Sequence, residues 1–242
     1  MNNIKSFHGD IIVFRDKLLN KENFSFSKYA DGEWAVMENI AINNKEFWFD
    51  PNNDQDQIRR QSLINSFKYK HPNYYVGISC PCCQGMHTFN KMYAFSEQDH
   101  DHLTWANLWV NSNYRHFLNY IMPQFNNRDI ILYCNSDAKI GQLPFKPSVV
   151  CPINNNAWDL NWHLIEHTKN MIQSKGLNNT IFLFCCGPFG NILCKELTEF
   201  NDQNTYLDIG STLNPFLGTA GFDREYYMGD NMYSRLTCSW GK

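Results

Sequence analysis

Thr180-Ile181-Phe182-Leu183-Phe184-Cys185-Cys186-Gly187-Pro188-Phe189-Gly190-Asn191 is the stretch that decides the fold. From Thr180 to Cys186 it carries no charge and is apolar on both faces, the pattern of a strand covered by helices above and below. Gly187-Pro188-Phe189-Gly190 is turn chemistry, and the apolar positions from Asn191 to Phe200 recur at helical spacing. A strand resumes from Tyr206 to Ile209. Outward from this strand-helix-strand unit, Asp129 to Cys134 and Ser148 to Cys151 read as further strands. Asn156 to Ser174 reads as one long helix closed by Gly176. In the first half, Ile11 to Leu19 and Asp54 to Lys70 read as helices, while Phe24 to Tyr29 and Tyr74 to Ser79 read as strands. Leu103 to Met122 reads as two helices broken near Asn111 to Asn113 and ended by Pro123. The alternation predicts an α/β, Rossmann-like layered fold with a mostly parallel sheet flanked by helices. Its sites are expected at the carboxyl ends of the strands. One domain over residues 1–242 is expected, with a C-terminal extension from about residue 213.

Composition narrows the function classes. The 242 residues carry 21 Lys+Arg against 24 Asp+Glu, a formal charge of −3, so no basic field awaits a nucleic-acid backbone. No apolar run is long enough for a bilayer, and MNNIKSFHGD lacks the basic-then-apolar order of an export signal. Nine cysteines, an odd number, then read as reduced thiols. A cytoplasmic protein is expected, in the host cytoplasm if the source is viral. Asparagine is unusually common, as in the proteins of AT-rich genomes such as those of large viruses or some bacteria. That bears on origin and not on chemistry.

Three places hold residues suited to chemistry. In Lys28-Tyr29-Ala30-Asp31-Gly32-Glu33, two carboxylates lie two residues apart just past a strand. In extended backbone they point the same way, and paired oxygen donors suit Mg²⁺ or Mn²⁺. Gly32 leaves room for a phosphate or sugar to approach. The competing reading is an ordinary Asp-Gly turn with a solvated Glu33. At Gly187 to Asn191, a strand-to-helix turn can present free N–H groups to an anion, and Asp208 follows at the end of the next strand. The full dinucleotide fingerprint is absent and Pro188 removes one donor, so a plain tight turn stands beside that reading. Cys80-Pro81-Cys82-Cys83 with His87 offers zinc ligands, and His100 and His102 lie downstream. The spacing is not that of paired zinc knuckles, and a structural or substrate-lining loop is the alternative. His163 and His167 stand one helical turn apart, a spacing that serves metal or a wet helix flank. The aromatic run Trp105, Trp109, Tyr114 and Phe117 reads mainly as core.

Taken in order, these pieces resemble the GT-D-type glycosyltransferases. The resemblance rests on Lys28-Tyr29-Ala30-Asp31-Gly32-Glu33, Val76-Gly77-Ile78, Pro152 through Asn156-Ala157-Trp158, Cys186-Gly187-Pro188-Phe189-Gly190 and Leu207-Asp208-Ile209-Gly210. Lys28 stands where that family usually has Arg, Ala30 where it has Gly, and Ser211-Thr212 where a His often follows. The resemblance implies transfer of a sugar from a nucleotide-diphosphate donor, UDP-linked, to a glycan acceptor, aided by Mn²⁺ or Mg²⁺. On that reading Asp31 and Glu33 are the catalytic and metal-binding residues. Lys28, Gly32, Asn156, Gly187, Pro188, Gly190, Asn191 and Asp208 face the donor, with the N–H groups of Gly190 and Asn191 supporting its phosphates. Two rivals remain. Leu207 to Ser211 resembles the loop that holds S-adenosylmethionine in methyltransferases, although that loop normally follows a first strand rather than a late one. A non-catalytic binding module built on a zinc-stabilised Cys80 to His87 loop is the other.

Overall fold

The computed structural model describes residues 5–219, 232 and 234–241. Seven strands form one sheet, all pairs parallel: β1 (Ser25–Lys28), β4 (Tyr74–Ile78), β5 (Leu103–Trp105), β6 (Ile130–Asn135), β7 (Val149–Ile153), β8 (Ile181–Phe184) and β9 (Thr205–Asp208). Their spatial order is β5-β4-β1-β9-β8-β6-β7. A short antiparallel hairpin, β2 (Ile42–Asn43) and β3 (Trp48–Phe49), stands apart from the sheet. The helices are α1 (Phe7–Leu19), α2 (Asp31–Met37), α3 (Asp54–Lys68), α4 (Pro81–Ser96), α5 (Tyr114–His116), α6 (Ala157–Leu160), α7 (Leu164–Lys175), α8 (Pro188–Phe200) and α9 (Asn214–Leu217).

The strands sort their side chains between two cores. Phe182, Phe184, Tyr133, Val76 and Tyr206 pack with Phe67 of α3, Ile165 and Ile172 of α7 and Phe189 to Leu197 of α8. Ile181, Leu183, Leu132, Phe24, Phe26 and Leu207 point the other way, onto Ile11, Phe14 and Leu18 of α1 and the Tyr114 to Phe125 segment. The period-two alternation of the pleat divides them, and each large apolar side chain so buried contributes about 1.5–3 kcal/mol. The result is the layered parallel α/β fold expected from the sequence.

The differences are local. Leu103–Trp105 is the edge strand β5 rather than helix. Its residues pair with β4, and Gly77 admits the close approach: a Cβ there would sit 3.0 Å from the Trp105 carbonyl oxygen. The predicted 156–174 helix is two helices, separated by Asn161 to His163. The cysteine-rich segment opens helix α4, which bends at Gly85 where φ is +79°. Of the predicted C-terminal extension, residues 213–219, 232 and 234–241 are described and the remainder lies outside the described residues. No helix among the described residues is long and apolar enough to cross a membrane.

One topological feature positions the site. From β1 the chain runs outward to β4 and β5, then crosses to β6 and β7 and returns through β8 to β9, beside β1. β1 therefore passes the chain to one side of the sheet while β9 receives it from the other, and a crevice opens at their carboxyl ends.

Candidate functional site

A cavity of about 870 Å³ occupies that crevice. Its wall takes Lys28 from the end of β1, Cys185 to Pro188 after β8, and Gly210 to Thr212 after β9. Cys134 and Asn135 of β6, Ile153 of β7 and Ala106 beyond β5 complete it at the same sheet edge. The rim is the β2–β3 hairpin, through Ile42, Asn44, Glu46 and Phe47.

Asp31, Gly32 and Glu33 all line the cavity, but not in the extended backbone foreseen for them. They form the first turn of α2. Positions i and i+2 of a helix point to different sides, so the two carboxylates do not share a face by register. Asp31 is exposed, whereas Glu33 is buried and turns back to accept the Ala30 N–H at 2.9 Å. That bond satisfies one of the free donors at the helix start. At the other end of α2, the Arg60 guanidinium donates to the carbonyls of Val36 and Met37 at 3.0 and 2.7 Å. A helix of seven residues is thus fixed at both ends by side chains, which isolated propensity would not achieve.

Asp208 lies beneath the cavity floor, not on its wall, and is 1% exposed. Its Oδ2 accepts the Lys28 N–H at 3.3 Å and its Oδ1 the Gly210 N–H at 3.1 Å. Burial pushes its carboxyl up to about 7. The Lys28 ammonium works against that rise, and nearby Glu33 adds to it. Asp208 therefore joins the loops after β1 and β9 and sits in one electrostatic group with Lys28 and Glu33. The Lys28 side chain crosses Gly210, where φ is +49° and a Cβ would stand 2.5 Å from Lys28 Cε. Gly190 also packs against this carboxyl: a Cβ there would meet Asp208 Oδ1 at 3.4 Å.

Three residues expected at the donor hold the scaffold instead. Gly190 turns its N–H onto the Gly187 carbonyl at 2.9 Å. Asn191, fully buried, donates from its side-chain amide to Ser27 Oγ at 3.0 Å and to the Lys28 carbonyl at 2.6 Å, tying α8 to β1. Neither lines the cavity wall, and the turn itself takes the Gly190 N–H that an anion would need. Asn156 is 1% exposed and left-handed at φ 52°; its N–H donates to Glu46 O at 2.7 Å and its Oδ1 accepts the Trp48 N–H at 3.2 Å. With Trp158 stacked edge-on against Phe47 and Phe49, Asn156 fastens the rim hairpin to the body. Gly187 and Pro188 do line the cavity, with Gly187 at φ +55°.

Sequence reasoning passed over Asn107, Asn135, Asp137, Asn154, Asn155 and Asn214, all on the wall. Asn135 closes β6 and Asn154 directly follows β7, a position that marks ligand contacts in parallel sheets. Trp109, assigned mainly to core, also touches the cavity, and its buried Nε1 has no partner among the described residues. His163 and His167 are exposed on the flank of α7. Cys80, Cys82 and Cys83 do come together, but their neighbour is Cys238, not His87, His100 or His102.

No protein-family model and no curated protein matches the chain. Two solved structures do resemble it. One is the highly conserved domain of unknown function 1792, described as having a distinct glycosyltransferase fold: 15% identity, TM-score 0.57, covering 84% of this chain and 77% of that one. The other, the selenomethionine-substituted structure of that domain, gives 14% identity and a TM-score of 0.58 over the same shares. With seven parallel strands in one sheet and its crevice between β1 and β9, the chain has the glycosyltransferase fold described for domain 1792.

Proposed function

We propose that the chain transfers a sugar from a nucleotide-diphosphate donor, UDP-linked, to a glycan acceptor, with Mn²⁺ or Mg²⁺ assisting. The observation that carries this reading is convergence: three segments far apart in sequence, at Lys28 to Glu33, Cys186 to Pro188 and Gly210 to Thr212, meet on one cavity at the switch of strand order. The charge of the wall supports a cation. Among the described residues it holds one lysine, Lys28, against four carboxylates, Asp31, Glu33, Glu46 and Asp137. A diphosphate entering such a wall meets net repulsion unless a divalent ion comes with it, and hard oxygen donors fit Mn²⁺ or Mg²⁺.

In this reading the two carboxylates take different tasks, which the exposure of Asp31 and the burial of Glu33 support. Asp31, exposed on the wall, would hold the ion, whose remaining positions suit donor phosphates and water. When bound, the ion offsets the charge that builds on the leaving diphosphate. Glu33 keeps one oxygen on the Ala30 N–H and has the other to accept a proton from the acceptor hydroxyl. Lys28, set across Gly210, faces the same phosphates as the ion.

The alternative S-adenosylmethionine reading draws no support here. Asp208 ends the last strand of the sheet in chain order among the described residues, not the first. Calorimetric titration of UDP and UDP-sugars, with and without Mn²⁺, tests the proposal on wild type, Asp31→Ala and Lys28→Ala. Metal-dependent binding to wild type, weakened in both variants, is the expected result. Binding of S-adenosylmethionine instead, or full sugar transfer by Asp31→Ala and Glu33→Ala, overturns it.

A further inference from the structure

Four sulfurs lie outside the cavity chemistry and nothing in the proposed transfer uses them. Cys80 is the residue before helix α4, and Cys82 and Cys83 occupy its first turn after Pro81. Cys238 arrives from the other end of the chain. The four Sγ atoms all lie within 4.8 Å of one another. A tetrahedral zinc with Zn–S bonds of about 2.3 Å needs sulfurs roughly 3.8 Å apart, so small side-chain rotations convert this cluster into that shell. We propose that Cys80, Cys82, Cys83 and Cys238 bind one structural Zn²⁺ as a tetrathiolate.

Observations besides proximity favour the ion over four thiols packed as small apolar groups. Cys82 is exposed, so the cluster is not sealed core and an ion can enter. The Asn107 amide donates to Cys83 Sγ at 3.3 Å and the Asn111 amide to Cys238 Sγ at 3.3 Å. Such N–H donors are poorly used by neutral thiols and suit metal-bound thiolates, whose charge they share. Soft sulfur donors, four in number and closed on all sides by protein ligands, select zinc over Mn²⁺ or Mg²⁺. On binding, each sulfur gives a lone pair to the ion and its proton to the buffer. Four protons leave, no electron moves, and the centre carries a net charge of minus two.

The consequence is a staple between distant parts of the chain. Around Cys238, the Ser239 carbonyl accepts from Trp105 Nε1 at 3.1 Å, and the Leu236 carbonyl from the Ser112 N–H at 3.2 Å. Trp240 packs edge-on against Phe89 and Trp105. A metal bond to Cys238 would add a covalent tie to these contacts and lock the segment onto α4 and β5. Asn107 joins the centre to the cavity wall, since it lines the one and bonds Cys83 of the other.

Metal analysis of the full chain, purified from zinc-supplemented cells without chelator, tests this directly and independently of any sugar transfer. One zinc per chain is expected, retained in His87→Ala and lost in Cys238→Ser. Cobalt added to stripped protein should give the intense visible bands of a tetrahedral tetrathiolate. Asn111→Asp keeps the left-handed backbone tolerable while removing the N–H donor, and should weaken zinc binding about 10–100-fold without unfolding the chain. Less than a tenth of an equivalent of zinc, a weak octahedral cobalt spectrum, or unaltered zinc in both Cys238→Ser and Asn111→Asp would overturn the proposal.

Discussion

Replacing Asp208 by Asn should change how stability depends on pH, and the size of the change follows from the burial of that carboxyl. Its proton affinity is raised from an ordinary 3.8 to about 7, chiefly because ionisation would place a charge out of reach of water. An acid whose folded value lies above its unfolded one stabilises the fold in its protonated form. That contribution is complete below about 3.8 and is lost as pH climbs through about 7. Roughly three decades of affinity at about 1.4 kcal/mol each amount to about 4 kcal/mol. Of this, about 3 kcal/mol should disappear between pH 5 and pH 8. The variant has no proton to lose there. Its Nδ2 also faces an N–H donor, from Lys28 or Gly210, which adds a cost that does not vary with pH. Urea denaturation of both proteins at several pH values isolates the effect, because titrating groups distant from Asp208 cancel in the difference. Relative to wild type, Asp208→Asn should gain about 3 kcal/mol from pH 5 to pH 8. A difference that stays flat across that range would show that Asp208 is ionised throughout, and the burial reasoning would fail.

Three further outcomes are expected. Gly77→Ala places a methyl 3.0 Å from the Trp105 carbonyl and 3.1 Å from the Ala106 backbone, so strands β4 and β5 must part. A loss of about 1–3 kcal/mol in chemical denaturation is expected. Gly210→Ala forces a left-handed alanine, costing about 1–2 kcal/mol, and pushes Lys28 aside. Thermal melts should register the first effect and a weakened UDP titration the second; unchanged UDP affinity would show that Lys28 does not meet the donor. Glu33→Gln keeps an oxygen for the Ala30 N–H, so its stability should change by less than about 1 kcal/mol while turnover falls about 100-fold or more. Equal turnover in the two proteins would remove Glu33 from the base role.

How far the site could be read from the residues differs from one element to the next. The Thr180 to Asp208 unit was legible because burial on both faces leaves an uninterrupted apolar run, and Gly-Pro punctuates it whatever the surroundings. Leu103 to Trp105 was not. Three residues are too few to show a period, and only pairing with β4 makes them a strand. Asp31-Gly32-Glu33 shows its carboxylates in the sequence but not its backbone, since Asp-Gly reads as a turn and the short helix depends on Arg60 and the Glu33 back-bond. Asn156 and Asn191 read from the sequence as donor contacts, whereas their side chains bond the scaffold. A buried amide and a ligand-binding amide look alike until neighbouring strands show what fills their hydrogen bonds.

By itself the sequence determined the layered α/β class, the strands around the Gly-Pro turn and the stretches that carry the carboxylates and thiols. These follow from local chemistry: burial period, turn residues and the spacing of like groups along the chain. Tertiary structure alone decided which of them meet. The order β5-β4-β1-β9-β8-β6-β7 brings Lys28, Gly187 and Gly210 to one crevice, buries Asp208 beneath it, and carries Cys238 to the first turn of α4. Such meetings join residues far apart along the chain, and no local preference encodes them. The shared burial of two cores across one sheet does.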